Sequence, residues 1–273
     1  MRPILLTILS FLTLTALAQE TKLTSKRSEN PYFLEEFYVL KSDKNIRHGS
    51  YKKLGYRKSI MVSGYYKNNQ KDSTWTDYFW RTEIIKSQGN YKDGVKNGIW
   101  FEYFQIGEKN TLQSKGEHRN GEKIGLWEFY NGKKELVQKY DYDKMELIYF
   151  MVNKEENKEH EVKSNTGIEK ILLDRPPFYV GGELQLMKAI GNSSITYPPQ
   201  ARDSEISGMV WISCYINENG KATDFKVHKG IGGGCDEEAL RAAKEIPNQW
   251  IPGQLNGETV VAKYLFPVSF TLR

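Results

Sequence analysis

The chain is poor in the residues that staple or ligate. Its 273 residues include two cysteines, Cys214 and Cys235, and four histidines, His48, His118, His160 and His228. Two cysteines do not make a disulfide framework. An exported compartment would permit a bond between Cys214 and Cys235, with two separate buried thiols as the default reading. Four scattered histidines give no metal-ligand spacing, so no metal is expected. The nine prolines form no stalk-like run, which excludes a long Pro-rich spacer. After the first eighteen residues no apolar stretch approaches the ~20 residues that a spanning helix needs. Gly-x-Ser-x-Gly and His-Glu-x-x-His are both absent. The Gly-rich run Gly230-Ile231-Gly232-Gly233-Gly234 lacks a Gly-Lys-Ser/Thr ending, and Asp236, Glu237 and Glu238 behind it would repel phosphate. Neither an enzyme nor a cofactor is expected.

Charge of one sign is also scarce. The net charge of +5 is spread among nearly equal acidic and basic residues, and the stretch from Pro176 on holds 9 Lys+Arg against 10 Asp+Glu. The basic excess belongs to the earlier part and forms no stripe, so no nucleic-acid partner is expected. What is present at the start is an export signal in outline. Arg2 is basic, Pro3 to Thr15 is apolar, and Ala16-Leu17-Ala18 is a small-residue cleavage site, giving a signal peptide over 1–18 and a periplasmic mature protein. An N-terminus kept in the inner membrane is the alternative. No cysteine follows the leader, which argues against a lipid anchor.

Behind a lead-in over 19–44, residues 45–143 carry a period of about 25 residues. Gly64 leads Trp75 by eleven positions, Gly89 leads Trp100 by eleven, and Gly116 leads Trp127 by eleven. Turn chemistry lies between each pair: Lys67-Asn68-Asn69, Lys92-Asp93-Gly94 and Arg119-Asn120-Gly121. Tyr51 holds the tryptophan phase in a degenerate first copy. The pattern predicts stacked antiparallel β-hairpins whose aromatics Tyr51, Trp75, Trp100 and Trp127 pack on one another. A glycan-binding row is the sharper alternative, and it needs exposed rings. This half resembles MORN-type repeats, in the variant found in exported bacterial and antitoxin-like proteins, and the resemblance implies a protein-binding or spacing surface.

Residues 144–175 are rich in Lys, Glu and Asn around 153–160 and predict a charged linker, helical or disordered. From 176 to 273 an α+β layout follows. Leu184, Met187 and Ile190 predict an amphipathic helix over 182–190. Met209–Asn217 and Lys221–His228 predict a hairpin across Asn219-Gly220, with a type I′ turn. Its register sets Val210, Ile212, Cys214 and Ile216 on one face with Thr223, Phe225 and Val227. A helix from about Asp236 to Ile246 offers Ala239, Leu240 and Ala243, its acidic start suited to the helix dipole. A last strand, Glu258–Leu272, turns Val260, Ala262, Tyr264, Phe266, Val268 and Phe270 inward.

Tyr197-Pro198-Pro199-Gln200-Ala201, Gly208-Met209-Val210, Asn219-Gly220-Lys221-Ala222, Cys235 to Arg241 and Trp250-Ile251-Pro252-Gly253 occur here in order. With Asn256-Gly257 and Pro267-Val268-Ser269-Phe270 they make the segment resemble the TonB C-terminal domain. Its family motif falls on Tyr197, Pro198, Gly208, Asn219, Gly220, Asp236, Ala239, Trp250 and Pro252. The resemblance implies a three-stranded antiparallel sheet with two helices on one face. It also implies strand addition of an extended segment of an outer-membrane transporter at the last strand, along Thr259, Val261, Lys263 and Leu265. Energy-transducing members keep an N-terminal membrane helix containing a His and a Pro-rich stalk. Here the leader contains no His and reads as cleavable, the nine prolines form no stalk-like run, and four hairpins would reach only ~40 Å. The expectation is a non-catalytic periplasmic protein-binding protein that contacts a TonB-dependent transporter in support of transmembrane transport. A soluble scaffold or envelope-assembly factor is the alternative, and the Trp211/Tyr215 face offers a homodimer surface.

Overall fold

The computed structural model describes residues 19–29, 31–107, 109–151 and 158–272. The signal-peptide expectation for 1–18 lies outside the described residues. Among those described, no helix is long and apolar enough to cross a membrane.

Eleven strands come first: β1 (Thr21–Glu29), β2 (Tyr32–Leu40), β3 (Arg47–Leu54), β4 (Ile60–Lys67), β5 (Gln70–Tyr78), β6 (Ile85–Lys92), β7 (Val95–Ile106), β8 (Lys109–Arg119), β9 (Glu122–Tyr130), β10 (Leu136–Asp141) and β11 (Glu146–Phe150). Their order in the sheet is their order in the chain. Asparagines and aspartates at positive φ close several turns, among them Asn68, Asn69, Asp93 and Asn120.

Then come β12 (Glu159–Ser164), β13 (Gly167–Leu172), β14 (Phe178–Tyr179), α1 (Gly182–Asn192), α2 (Pro199–Asp203), β15 (Gly208–Ile216), β16 (Ala222–Lys229), α3 (Cys235–Lys244), β17 (Trp250–Ile251), β18 (Gly253–Leu255) and β19 (Glu258–Phe270). The main path of the second sheet is β13-β12-β19-β15-β16, with β18 also on β19. The three expected strands, β16, β15 and β19, are therefore joined by β12 and β13. These come from the segment read as a helical or disordered connector, whose residues 152–157 lie outside those described. The segment pairs because Val162 and Ile171 turn inward onto Ala262, Leu173, Leu255 and Val260, while Glu161, Lys163 and Lys170 lie on the other face.

The core of this sheet is the apolar face of β15 and β19. Val210, Ile212, Cys214, Ile216, Phe266, Val268 and Phe270 meet Leu186 and Ile190 of α1 and Ala239 and Ala243 of α3. Two sequence expectations change here. In α1 the buried stripe runs through Leu186 and Ile190, and Leu184 and Met187 are exposed. In the hairpin, a bulge at Asp224 (φ 53°) puts Thr223 opposite Tyr215, so it leaves the Cys214 face, while Val227 stays opposite Ile212. The turn differs as well. Gly220 N–H donates to the Asn217 carbonyl at 2.9 Å, Asn217 N–H donates to Lys221, and only Gly220 in this turn has positive φ. This is a type I turn with a glycine bulge, in place of type I′.

The chain divides into two compact units. The first takes the residues up to Trp100 with Gly107–Asn110 and His118–Glu122; the second takes Phe101–Ile106, Thr111–Glu117 and the chain from Lys123 on. The division falls within β7 and β8, ahead of the charged segment where composition placed the linker.

Candidate interaction site

The eleven-residue spacing from glycine to tryptophan has a direct physical cause. A Cβ on Gly64 would lie 2.3 Å from the Trp75 ring, one on Gly89 2.3 Å from Trp100, and one on Gly116 2.2 Å from Trp127. Each indole lies where only a glycine leaves room. Each indole N–H then donates to the carbonyl of the residue after that glycine: Trp75 to Tyr65 (3.0 Å), Trp100 to Asn90 (3.1 Å) and Trp127 to Glu117 (3.2 Å). On the far side, Trp75 is the cross-strand partner of Gly89, as Tyr51 is of Gly64. Tyr66 and Tyr91 meet Trp75 and Trp100 edge-on, with centroids 5.1 and 5.2 Å apart. A lysine four residues before each tryptophan caps the ring: Lys71, Lys96 and Lys123 at 4.2, 4.0 and 4.3 Å. Nothing in composition singles out those lysines, but their fixed offset from tryptophan is a readable signal. Tyr51, Trp75, Trp100 and Trp127 are all buried. They are core, and they present no open ring face to a sugar.

In the second unit the family-motif residues build joints. Tyr197 donates its hydroxyl to the Ile206 carbonyl at 2.5 Å and meets Phe270 edge-on. Pro198 caps α2, and Gly208 opens β15 opposite Phe270. Asn219 lies in the hairpin turn. A Cβ on Gly220 would meet the Trp250 carbonyl at 2.5 Å. Trp250 packs between Tyr179 and Tyr264, Ala239 is fully buried, and the Pro252 carbonyl accepts from Arg175. Asp236 accepts the backbone N–H of Ile231 at 2.8 Å and of Gly232 at 3.3 Å. The Gly-rich loop thus spends its donors on a carboxylate of its own chain, which disposes of the phosphate reading. Cys214 and Cys235 are free and buried, and burial pushes the Cys214 thiol up to about 12.

The predicted edge residues fare unequally. Thr259 is paired with Gln254 of β18, and Val261 with Lys163 of β12. The described pairing with β12 stops at Ala262, so Lys263 and Leu265 lie beyond it, on the stretch whose other side pairs with β15. The outer face here carries a charged belt. Lys263 donates to both Glu161 oxygens at 3.0 Å, Tyr215 donates to Glu161 at 3.3 Å, and Lys163 pairs with Asp224 while lying over the Tyr215 ring. The Lys263 hydrogen bond holds the Glu161 carboxyl below its ordinary range. Tyr215 is thereby engaged within the chain, which leaves Trp211, Met209 and Leu265 as the open apolar part of the face. Among the described residues no group of three or more His, Cys, Asp or Glu could hold a metal ion.

The antiparallel strands carry α1 and α3 on one face, and among the described residues β19 has no strand on its far side beyond Ala262. Residues 193–272 match the family model for the Gram-negative bacterial TonB protein C-terminal. The match covers β15, β16, α3 and β19, and it supports a protein-interacting role for the TonB C-terminal segment. It also takes in α2, β17 and β18, whereas β1 to β14 and α1 lie outside it, although β12 and β13 share its sheet. No curated protein matches the chain.

Proposed function

We propose that the chain is a non-catalytic, exported protein-binding protein whose TonB-like domain captures an extended peptide by adding it as a strand to β19. The observation that carries this is the family match over 193–272, together with the far side of β19 beyond Ala262, on which no strand pairing is found among the described residues. Backbone groups on an unpaired edge are a template for another strand. The docking stretch is accordingly Lys263 to Phe270, shifted from Thr259–Leu265 because β18 and β12 already occupy its start. Pro267 offers no N–H there, so pairing divides around it. The partner is a TonB-dependent outer-membrane transporter. The glycine-seated aromatic strands act as a MORN-like hairpin-repeat scaffold that offers a second protein contact. Export rests on the leader over 1–18, with the periplasm as destination.

The test is a photo-crosslinking residue at Leu265, introduced in the native host and activated in intact cells. An adduct with an outer-membrane transporter is the expected result. An adduct with soluble envelope proteins alone would replace the transporter by the scaffold reading, and the absence of any adduct would remove strand addition at β19. Intact mass of the envelope protein settles export separately: a chain beginning at Gln19 is expected, and an intact Met1 in the inner-membrane fraction would revive motor coupling.

A further inference from the structure

A groove of about 280 Å3 runs along the last strand of the first sheet, with Leu147–Phe150 of β11 on one side and Asp174, Arg175 and Gln254 on the other. It lies wholly within the second compact unit. Four consecutive residues line it. Successive side chains of a strand alternate between faces, so such a wall is the strand's edge, backbone included. Among the described residues β11 ends the sheet and pairs with β10 alone, so the N–H and C=O groups on its groove side have no described ladder partner. Ile148 and Tyr149, one on each face, are exposed. The edge is β-prone and apolar; Phe150 at its end stacks on Phe178, with centroids 4.3 Å apart, and Ile148 and Tyr149 are its open part.

The opposite side supplies a cation. Arg175 and Gln254 exchange backbone hydrogen bonds at 3.2 and 2.8 Å, which fixes this wall. One guanidinium nitrogen of Arg175, Nη2, donates to the Pro252 carbonyl at 3.3 Å. The Arg175 Nε is buried and has no hydrogen-bond partner among the described residues. Asp174 does not serve it, because its carboxylate accepts the Asn256 backbone N–H at 2.5 Å. A buried donor without an acceptor is costly, more so on a charged group. Burial also pushes the Arg175 guanidinium below its ordinary value.

We propose that this groove takes a short extended peptide of a partner protein as the next strand on β11, with a peptide carboxylate on Arg175. The added backbone satisfies the β11 edge, and the carboxylate pairs with the Arg175 guanidinium that lines the groove. The site is separate from β19 and does not depend on the function proposed for that strand.

The test is an NMR titration of the isotope-labelled full chain with a synthetic six-residue peptide of alternating Thr and Val carrying one central Asp. Two companions differ in one respect each: Asn in place of the Asp, and N-methylation of alternate peptide nitrogens. The Asp peptide should shift the amides of Leu147–Phe150 and the Arg175 Nε–H. The Asn peptide should bind about tenfold more weakly, and the N-methylated one should not bind at all. Arg175→Lys, with its unperturbed spectrum confirming the fold, should give the same loss as the Asn peptide. Equal affinity of the Asp and Asn peptides, or no saturable shift at millimolar peptide, would overturn the proposal. Shifts confined to Lys263–Phe270 would also overturn it, while leaving the β19 reading standing. Concentration-dependent shifts at β11 without peptide would assign the groove to a second copy instead.

Discussion

In the strands up to β6, rings are buried by lying on a glycine of a neighbouring strand, with a lysine over the exposed side. In the C-terminal sheet, Val210, Ile212, Ile216, Phe266 and Val268 are buried because helices cover them. The first arrangement repeats within one sheet and needs no second layer: Phe37, Val39, Tyr51 and Trp75 cluster with Val62, Tyr66 and Tyr91, all of them strand residues. The second needs elements far apart in sequence to meet. A core built from neighbours in sequence tolerates loss at a distance and fails at its glycines. A core shared between layers fails wherever a large side chain is removed.

The sharpest way to break the contrast is to delete one layer contact. Phe266→Ala removes a buried ring under the helices and should cost about 3–5 kcal/mol, seen as lost hydrogen-exchange protection on β15 and β19 with β4 to β6 unaffected. Next comes Gly89→Ala, which sets a methyl where the Trp100 ring lies and should cost about 3 kcal/mol, read at β5 to β7. Adding Trp100→Leu should recover part of that loss, and a double-mutant cycle with no coupling would refute the glycine-seat account.

The same contrast explains what the amino-acid order discloses. The glycine and tryptophan of each pair are eleven apart because one hairpin separates them, and a clash between them is absolute, so the spacing is visible. The inward alternation of β19 is equally plain. The phase of α1 is not, because Leu184, Met187 and Ile190 fit one stripe while Leu186 and Ile190 fit another, and only the sheet beneath decides. β12 and β13 are hidden because Glu161, Lys163 and Lys170 occupy their outer face and few apolar residues mark the inner one. The Asp224 bulge depends on a non-glycine residue at positive φ, which composition does not announce. Glu102 could not be foreseen, since Gln185 and Lys188, which hold it, lie more than eighty positions away.

That carboxylate gives the third prediction. Glu102 accepts from Lys188 at 2.8 Å, Gln185 at 2.9 Å and Ser114 at 3.0 Å. Burial pushes its carboxyl up, but the Lys188 charge and these hydrogen bonds outweigh it and bring it down to about 2. A carboxylate lowered on folding contributes stability above its ordinary value near 4.5, and that contribution drains as pH falls from there toward 2. Glu102→Gln should cost about 1–3 kcal/mol at neutral pH and flatten this part of the acid unfolding curve. The smallest expected effect is Lys71→Met, which removes the cation over Trp75 for about 0.5–1 kcal/mol. A blue shift of the Trp75 emission in a single-tryptophan background would register it.

Because each indole is seated on a glycine one hairpin away, the unit of inheritance here is the pair. A point change at either position strands the other, whereas duplication of a whole period carries seat and ring together. Such a sheet can grow or shrink in steps of two strands, about 10 Å each, and at no length between. If the sheet serves as a spacer, selection on its reach would act by counting periods.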